Sequence, residues 1–258
     1  MLPLRIIVFA QVASRAMAFL KGSCQESDHI DQYHHRTIAG VQVIDTPLVR
    51  AAQQLALDHS TDWAYKHIMR SWLFGALIID NNATLHESID LEVHAIAALM
   101  HDMGWDPTPN SPFVSSDKRF EVDGAMAARE FIRGSNVSAR WDDHRIQLVW
   151  DAIALHATPS IHTYKELEVA VTATGINADG AGPSFGITKD QYDSVLREFP
   201  DFDLVDGANK TMIWLCQTKP RTTIDTWVQP WGEYFVPNYT AKGFRAIDQV
   251  LGGKVPDA

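Results

Sequence analysis

At 258 residues with 46% hydrophobic content, the chain suits one large domain or a domain with extensions, and it has ample material for a core. Its formal charge of −10 and the lack of any basic run exclude a nucleic-acid-binding surface, which needs a local Lys/Arg excess. The two cysteines, Cys24 and Cys216, form no CxxC, which excludes a thiolate-rich zinc site; free thiols fit a core this size better than a disulfide.

The N-terminal stretch MLPLRIIVFAQVASRAMAFLKG is hydrophobic but interrupted by Arg5 and Arg15. It is too broken to span a bilayer and makes a poor secretion signal, despite the small residues Ala16-Met17-Ala18. Against that stand N-x-S/T triplets at Asn82, Asn136, Asn209 and Asn238, usable only in a secretory pathway. A cytoplasmic protein is the favoured reading, with a secreted one as the alternative. Residues 22–46 are polar and His-rich (His29, His34, His35), so residues 1–46 read as an extension and 47–258 as the folded domain. Val41 and Val43 suggest at most a short strand.

From Pro47, which suits the first helical position after Thr46, the pattern predicts helices over 47–58, 61–80, 88–101, 120–133, 142–156, 164–176, 188–198, 206–217 and 240–251. Loops are expected at 107–116, 180–184 and 220–237. The fold class is all-α: packed helices behind a polar N-terminal extension.

Residues 97–106, AALMHDMGWD, carry the chemistry. They put His101 and Asp102 side by side at the end of an apolar helix, just before Gly104. An ionised carboxylate next to a buried segment costs several kcal/mol unless something positive offsets it, and a divalent cation is the simplest candidate. In the 61–80 helix, His67 shares a stripe with Trp63, Ala64, Ser71, Phe74 and Ile78, which places it on the buried face. Taken alone it reads as a core histidine; beside the His–Asp pair it reads as a ligand. Asp179 falls in a Gly-rich turn after a helix expected to end near Gly175, where an aspartate is also an ordinary turn former. His67, His101, Asp102 and Asp179 together offer two imidazoles and two carboxylates, a set that suits one divalent ion, zinc ahead of iron, with open positions for water.

This H…HD…D series resembles the HD-domain superfamily of metal-dependent hydrolases, and within it the cyanamide hydratase-like branch. The resemblance rests on HIMRSWLFG (67–75), LMHDMG (99–104), FEVDGA (120–125), AIALH (152–156) and the Asp179 turn, across roughly residues 47–200. It implies an HD-type helical bundle and a metal-dependent hydrolase or hydratase that uses metal-activated water on a small molecule, nitrile-like in this branch. Asp102 would both ligate and accept a proton. His156 or Asp123 would manage protons, and Arg70 would bind substrate. In many metal-dependent HD proteins a histidine stands near the position of Asp123, so the aspartate departs from the pattern. Asp123 lies on an apolar stripe with Phe120, Met126 and Ala127 and needs a cationic partner; Arg70 is a candidate. It reads as site lining or as half of a structural ion pair. His156 reads equally as a proton carrier or a core histidine.

Glu121 is expected to be exposed, and His94, two turns before His101, to be structural. Trp105, Trp214, Trp227 and Trp231 fill the core or line a pocket. An HD-type phosphohydrolase is the runner-up, although Arg70, Lys118 and Arg119 form no phosphate-holding cluster. An iron oxygenase would need more histidine ligands, and a non-catalytic metabolite-binding module stays open. The partner is a small-molecule substrate, with no nucleic acid and no membrane; a homo-oligomer is also open.

Overall fold

Residues 34–252 are described by the computed structural model of the chain. The leader-like stretch, Cys24 and His29 lie outside the described residues. The body opens with a hairpin: β1 (His35–Ile38) pairs antiparallel with β2 (Val41–Ile44), His35 opposite Ile44 and Ile38 opposite Val41. The turn residues Ala39 and Gly40 both have positive φ, 51° and 81°, the combination whose twist matches a two-residue hairpin loop. Val41, Val43 and Ile44 are buried in the main core. The folded body therefore begins before Pro47, and residues 35–46 belong to it rather than to an extension. Four-residue strands give too little alternation to be read firmly from sequence.

Eleven α-helices follow among the described residues: α1 (Pro47–Asp58), α2 (Asp62–Asp80), α3 (Ala83–Ser88), α4 (Leu91–Met100), α5 (Phe120–Arg133), α6 (Asp143–Leu155), α7 (Leu167–Ala181), α8 (Lys189–Glu198), α9 (Leu204–Thr218), α10 (Gln229–Phe235) and α11 (Ala246–Val250). The all-α class holds. Thr46 caps α1 through its side-chain oxygen, which accepts the Val49 N–H at 3.1 Å, with Pro47 in the first turn. No helix of the described residues is long and apolar enough to cross a membrane.

Two helices form the centre. Every residue of α2 from His67 to Ile79 is buried, as is every residue of α4 from Glu92 to Met100. Helices that are buried all round need partners on every side, and α1, α5, α6 and α7 supply them. Helix α7 crosses α2 at close range. A Cβ built on Gly175 would lie 2.7 Å from the Ser71 carbonyl oxygen and 2.8 Å from Gly75 Cα. Gly175 is thus a contact point inside a helix, not a terminator, and α7 runs on to Ala181, where Gly182 with φ 78° ends it. The extension carries Asp179 inside the last turn of α7 rather than in a loop.

The C-terminal third builds a second hydrophobic cluster. Phe120, Met212, Leu215, Cys216 and Val228 form its centre, with Trp105, Trp214, Trp227 and Trp231 packed against it. Its short helix α10 lies in the stretch expected to be loop, because seven residues rich in aromatics and containing a proline show no helical period. The helix expected over 240–251 shortens to α11. Cys216 is free and buried.

Candidate metal centre

Helix α2 presents His67, and the end of α4 presents His101, with Asp102 leading into a 3-10 turn, Met103–Trp105. Their donor atoms converge. His67 Nε2 is 3.2 Å from His101 Nε2, His101 Nε2 is 2.9 Å from Asp102 Oδ2, and His67 Nε2 is 3.5 Å from the same oxygen. The three residues form the metal-capable group found among the described residues, and all are buried.

Hydrogen bonding fixes which ring nitrogens face inward. His101 Nδ1 is 2.8 Å from the Ala98 carbonyl oxygen, which can only accept, so this nitrogen carries the proton and Nε2 keeps a lone pair. His67 Nδ1 is 2.6 Å from Asp179 Oδ2, again an acceptor, so its Nε2 also points a lone pair at the cluster. Neither oxygen of Asp102 has a hydrogen-bond partner, although both are buried. Two lone pairs and a carboxylate turned on one another repel unless a cation or proton lies between them. Nitrogen ligands about 2.1 Å from a zinc-like ion stand about 3.0–3.4 Å apart, close to the separations seen. The donor set fits a divalent cation.

The electrostatics agree. Burial pushes the Asp102 carboxyl up, but attraction to the neighbouring His101 outweighs it, and the group lies below the usual carboxylate range. Burial pushes His101 down, and attraction to Asp102 more than reverses this.

Asp179 has a different part from the one expected. Its Oδ1 accepts from Arg70 Nε at 2.6 Å, and its Oδ2 accepts from Arg70 Nη2 at 2.9 Å and from His67. Both oxygens are occupied, so Asp179 lies behind His67 and fixes its ring, as outer carboxylates do for metal-bound histidines. Burial raises its carboxyl, but bonding to His67 and Arg70 outweighs this, and the carboxyl lies below its ordinary value. Arg70 is likewise not a substrate-binding group. It is fully buried, and its Nη1 donates to the Pro200 carbonyl at 2.8 Å, tying α2 to the segment after α8.

His156, at the end of α6, does reach the cluster: its Nε2 is 3.8 Å from Asp102 Oδ1, and its ring stands edge-on to His101 at 5.0 Å. Its Nδ1 donates to the Ile153 carbonyl at 2.6 Å. Burial, with the nearby His101, holds its pKa at about 4, so the ring is neutral near pH 7 with a lone pair on Nε2.

Asp123 is buried, but its partner is not Arg70. Its Oδ2 meets Lys219 Nζ at 2.6 Å and accepts the Ser115 N–H at 3.1 Å. It is half of an ion pair joining α5 to the end of α9. Lys219 was invisible to sequence reasoning, being 96 residues away with no pattern linking the two. Glu121, expected to be exposed, is buried and paired with Arg119. His94 is structural, as expected, its Nδ1 3.0 Å from Thr172 Oγ1.

Aromatic rings flank the cluster. Trp105 stacks on His67 at 6.1 Å and 21°, and Phe120 packs between Trp105 at 5.3 Å and His156 at 5.7 Å. Trp227 stands edge-on to Phe120 at 6.4 Å. Gly104 allows this closeness, since a Cβ there would lie 2.2 Å from the Phe120 carbonyl oxygen. The sequence signal for this wall was Trp105 following the His–Asp pair by three residues.

No protein-family model matches the chain, and no curated protein matches it either.

Proposed function

We propose that the chain is a metal-dependent hydrolase or hydro-lyase of the HD type, cyanamide hydratase-like, that holds one divalent ion, zinc ahead of iron, and acts on a small uncharged molecule. The observation that carries this reading is the convergence of His67 Nε2, His101 Nε2 and Asp102 Oδ2 in a buried place where neither oxygen of Asp102 has a hydrogen-bond partner. When bound, such an ion supplies Lewis acidity and brings the pKa of water toward neutrality.

The chain's own residues do the rest. His67 and His101 are held in the ligating tautomer by Asp179 and the Ala98 carbonyl. Asp102 Oδ1 and His156 Nε2 are proton-accepting atoms on the same side of the cluster, 3.8 Å apart. The neutral imidazole of His156, locked by its bond to Ile153, accepts a proton at Nε2 and returns it to a leaving or adding group. The rings of Trp105 and Phe120 limit water and favour flat, small ligands.

Charge favours an uncharged substrate over a phosphoester. Arg70, Arg119 and Lys219, cations on the elements that build the site, are each already paired with a carboxylate: Asp179, Glu121 and Asp123. Of these three cations, none could meet a phosphate without breaking its pair.

Elemental analysis of the purified protein, followed by assays on cyanamide, other small nitriles and p-nitrophenyl phosphate, tests the reading. About one equivalent of zinc or iron with turnover of a nitrile supports it. A metal-free protein sinks it, and turnover of the phosphoester alone would move the chain to the phosphohydrolase class.

A further inference from the structure

Four large apolar side chains turn outward at one end of the α9–α10 pair. Phe202 and Val205 are each 81% exposed, Tyr234 is 82% exposed and Phe235 55%. Two contacts fix how the helices run against each other. Cys216 Sγ lies 3.6 Å from the Val228 carbonyl oxygen, and Trp231 Nε1 donates to Asn209 Oδ1 at 2.9 Å. Moving forward along α10 therefore moves backward along α9. One turn beyond the Trp231–Asn209 bond, α10 carries Tyr234 and Phe235 and α9 carries Val205. The rings of Tyr234 and Phe235 are 6.3 Å apart, and Phe202 stands one turn before Val205. All four side chains thus share one end of the pair.

This end is held firmly to α2. Lys66 Nζ lies 5.5 Å from the Phe202 ring, and Arg70 Nη1 donates to the Pro200 carbonyl two residues earlier. Gly207 abuts the Trp63 ring, where an added Cβ would lie 2.2 Å away. Anchored apolar side chains left in water are a mark of an interaction site rather than of a loose loop tip.

We propose that Phe202, Val205, Tyr234 and Phe235 form a self-association surface on which a second copy of this chain docks about a two-fold axis. Three largely exposed aromatics and a valine present about 500 Å² of apolar area. Two copies face to face bury about 1,000 Å², the level at which a specific interface begins. A two-fold contact sets one patch against itself, and aromatic rings are enriched at the centres of such interfaces. Charge argues against a lipid surface as the occupant. Asp201, Asp203, Asp206 and Glu233 flank the four residues in sequence, while Lys66 and Lys210 are each paired with an aspartate. An acidic rim is repelled by anionic headgroups. Between two copies the same rim weakens the contact at low salt without removing its apolar centre. This inference is independent of the metal-enzyme reading.

Sedimentation of the full chain tests it, at up to about 100 µM, a range that reaches weak interfaces of this size. The parent is expected to form a dimer that tightens with added salt. Val205→Glu and the double variant Phe202→Ser/Phe235→Ser should raise the dimer dissociation constant by at least about 10-fold. Tyr164→Ser is the control. Tyr164 is as exposed, at 81%, but stands just before α7, at the opposite end of that helix from Asp179. It should behave like the parent. Circular dichroism checks that each variant folds; should Val205→Glu fail to fold, the double variant decides. A parent that stays monomeric, association unchanged in the patch variants, equal loss in Tyr164→Ser, or a dimer that salt weakens would overturn the proposal. So would a monomeric parent that floats with phosphatidylcholine–phosphatidylserine vesicles while the patch variants do not, which assigns the surface to lipid instead.

Discussion

Replacing Gly175 by alanine probes the contact that brings the site together. The new methyl carbon would lie 2.7 Å from the Ser71 carbonyl oxygen and 2.8 Å from both Cα and N of Gly75. All three are backbone atoms of α2, which cannot swing aside as a side chain can, so α2 and α7 must separate. Overpacking of this kind costs about 1–3 kcal/mol. Alanine recovers up to about 1 kcal/mol through its better helix propensity. With backbone on the receiving side, the upper part of the range applies, and the net loss should be about 1–2 kcal/mol. For a chain of this size that lowers Tm by about 2–8 °C. Gly180, five residues on in the same helix, is exposed and has nothing within 4 Å of an added Cβ. Gly180→Ala should therefore gain about 0.5–1 kcal/mol. Because the crossing also positions Asp179 against His67 and Arg70, Gly175→Ala should lose bound metal while Gly180→Ala keeps it. Thermal melts followed by circular dichroism, with metal analysis of each variant, read both effects. A Gly175→Ala protein that melts at or above the parent temperature would refute the close crossing and the argument built on it.

Three further outcomes are expected. Lys219→Met leaves the buried Asp123 carboxylate with only the Ser115 N–H, and should cost about 3–5 kcal/mol in urea unfolding; adding Asp123→Asn should restore much of it, and a double variant no more stable than the single one counts against a buried pair. His94 has its pKa lowered to about 4 by burial. The unfolded chain binds this proton near pH 6.5 and the folded chain only near pH 4, so stability should be full above pH 6.5 and fall by about 3 kcal/mol as the pH drops to 4; a His94→Gln protein with the same slope over that range would exclude His94 as the cause. His101→Ala should strip the metal and lower Tm while far-ultraviolet circular dichroism stays nearly unchanged, and full metal occupancy in that variant would remove His101 from the ligand set.

The local signals survive folding where they depend on one segment. The α1 limits follow from capping and period, the α5 limits from period, and the burial of His67 from its stripe on α2. The adjacency of His101 and Asp102 needs nothing beyond the chain itself, and the three metal-capable residues were all legible. Asp179 was placed in the site region with the wrong local structure, because a glycine that permits close helix packing looks in sequence like one that ends a helix. Only the partner helix tells them apart: Gly175 faces Gly75, and that fact is 100 residues away from any local pattern.

What a charged group does was decided by tertiary structure alone. Asp123 was read as inward-facing and Arg70 as its candidate partner, yet each found a partner the sequence did not suggest, Lys219 for Asp123 and Asp179 for Arg70. Glu121, expected to be exposed, is buried and paired with Arg119. A side chain's face is set by helical period, which is a property of the segment. Its partner is set by which distant segment is packed there, and pairing a buried charge depends on distances of a few ångströms that no one-dimensional pattern encodes.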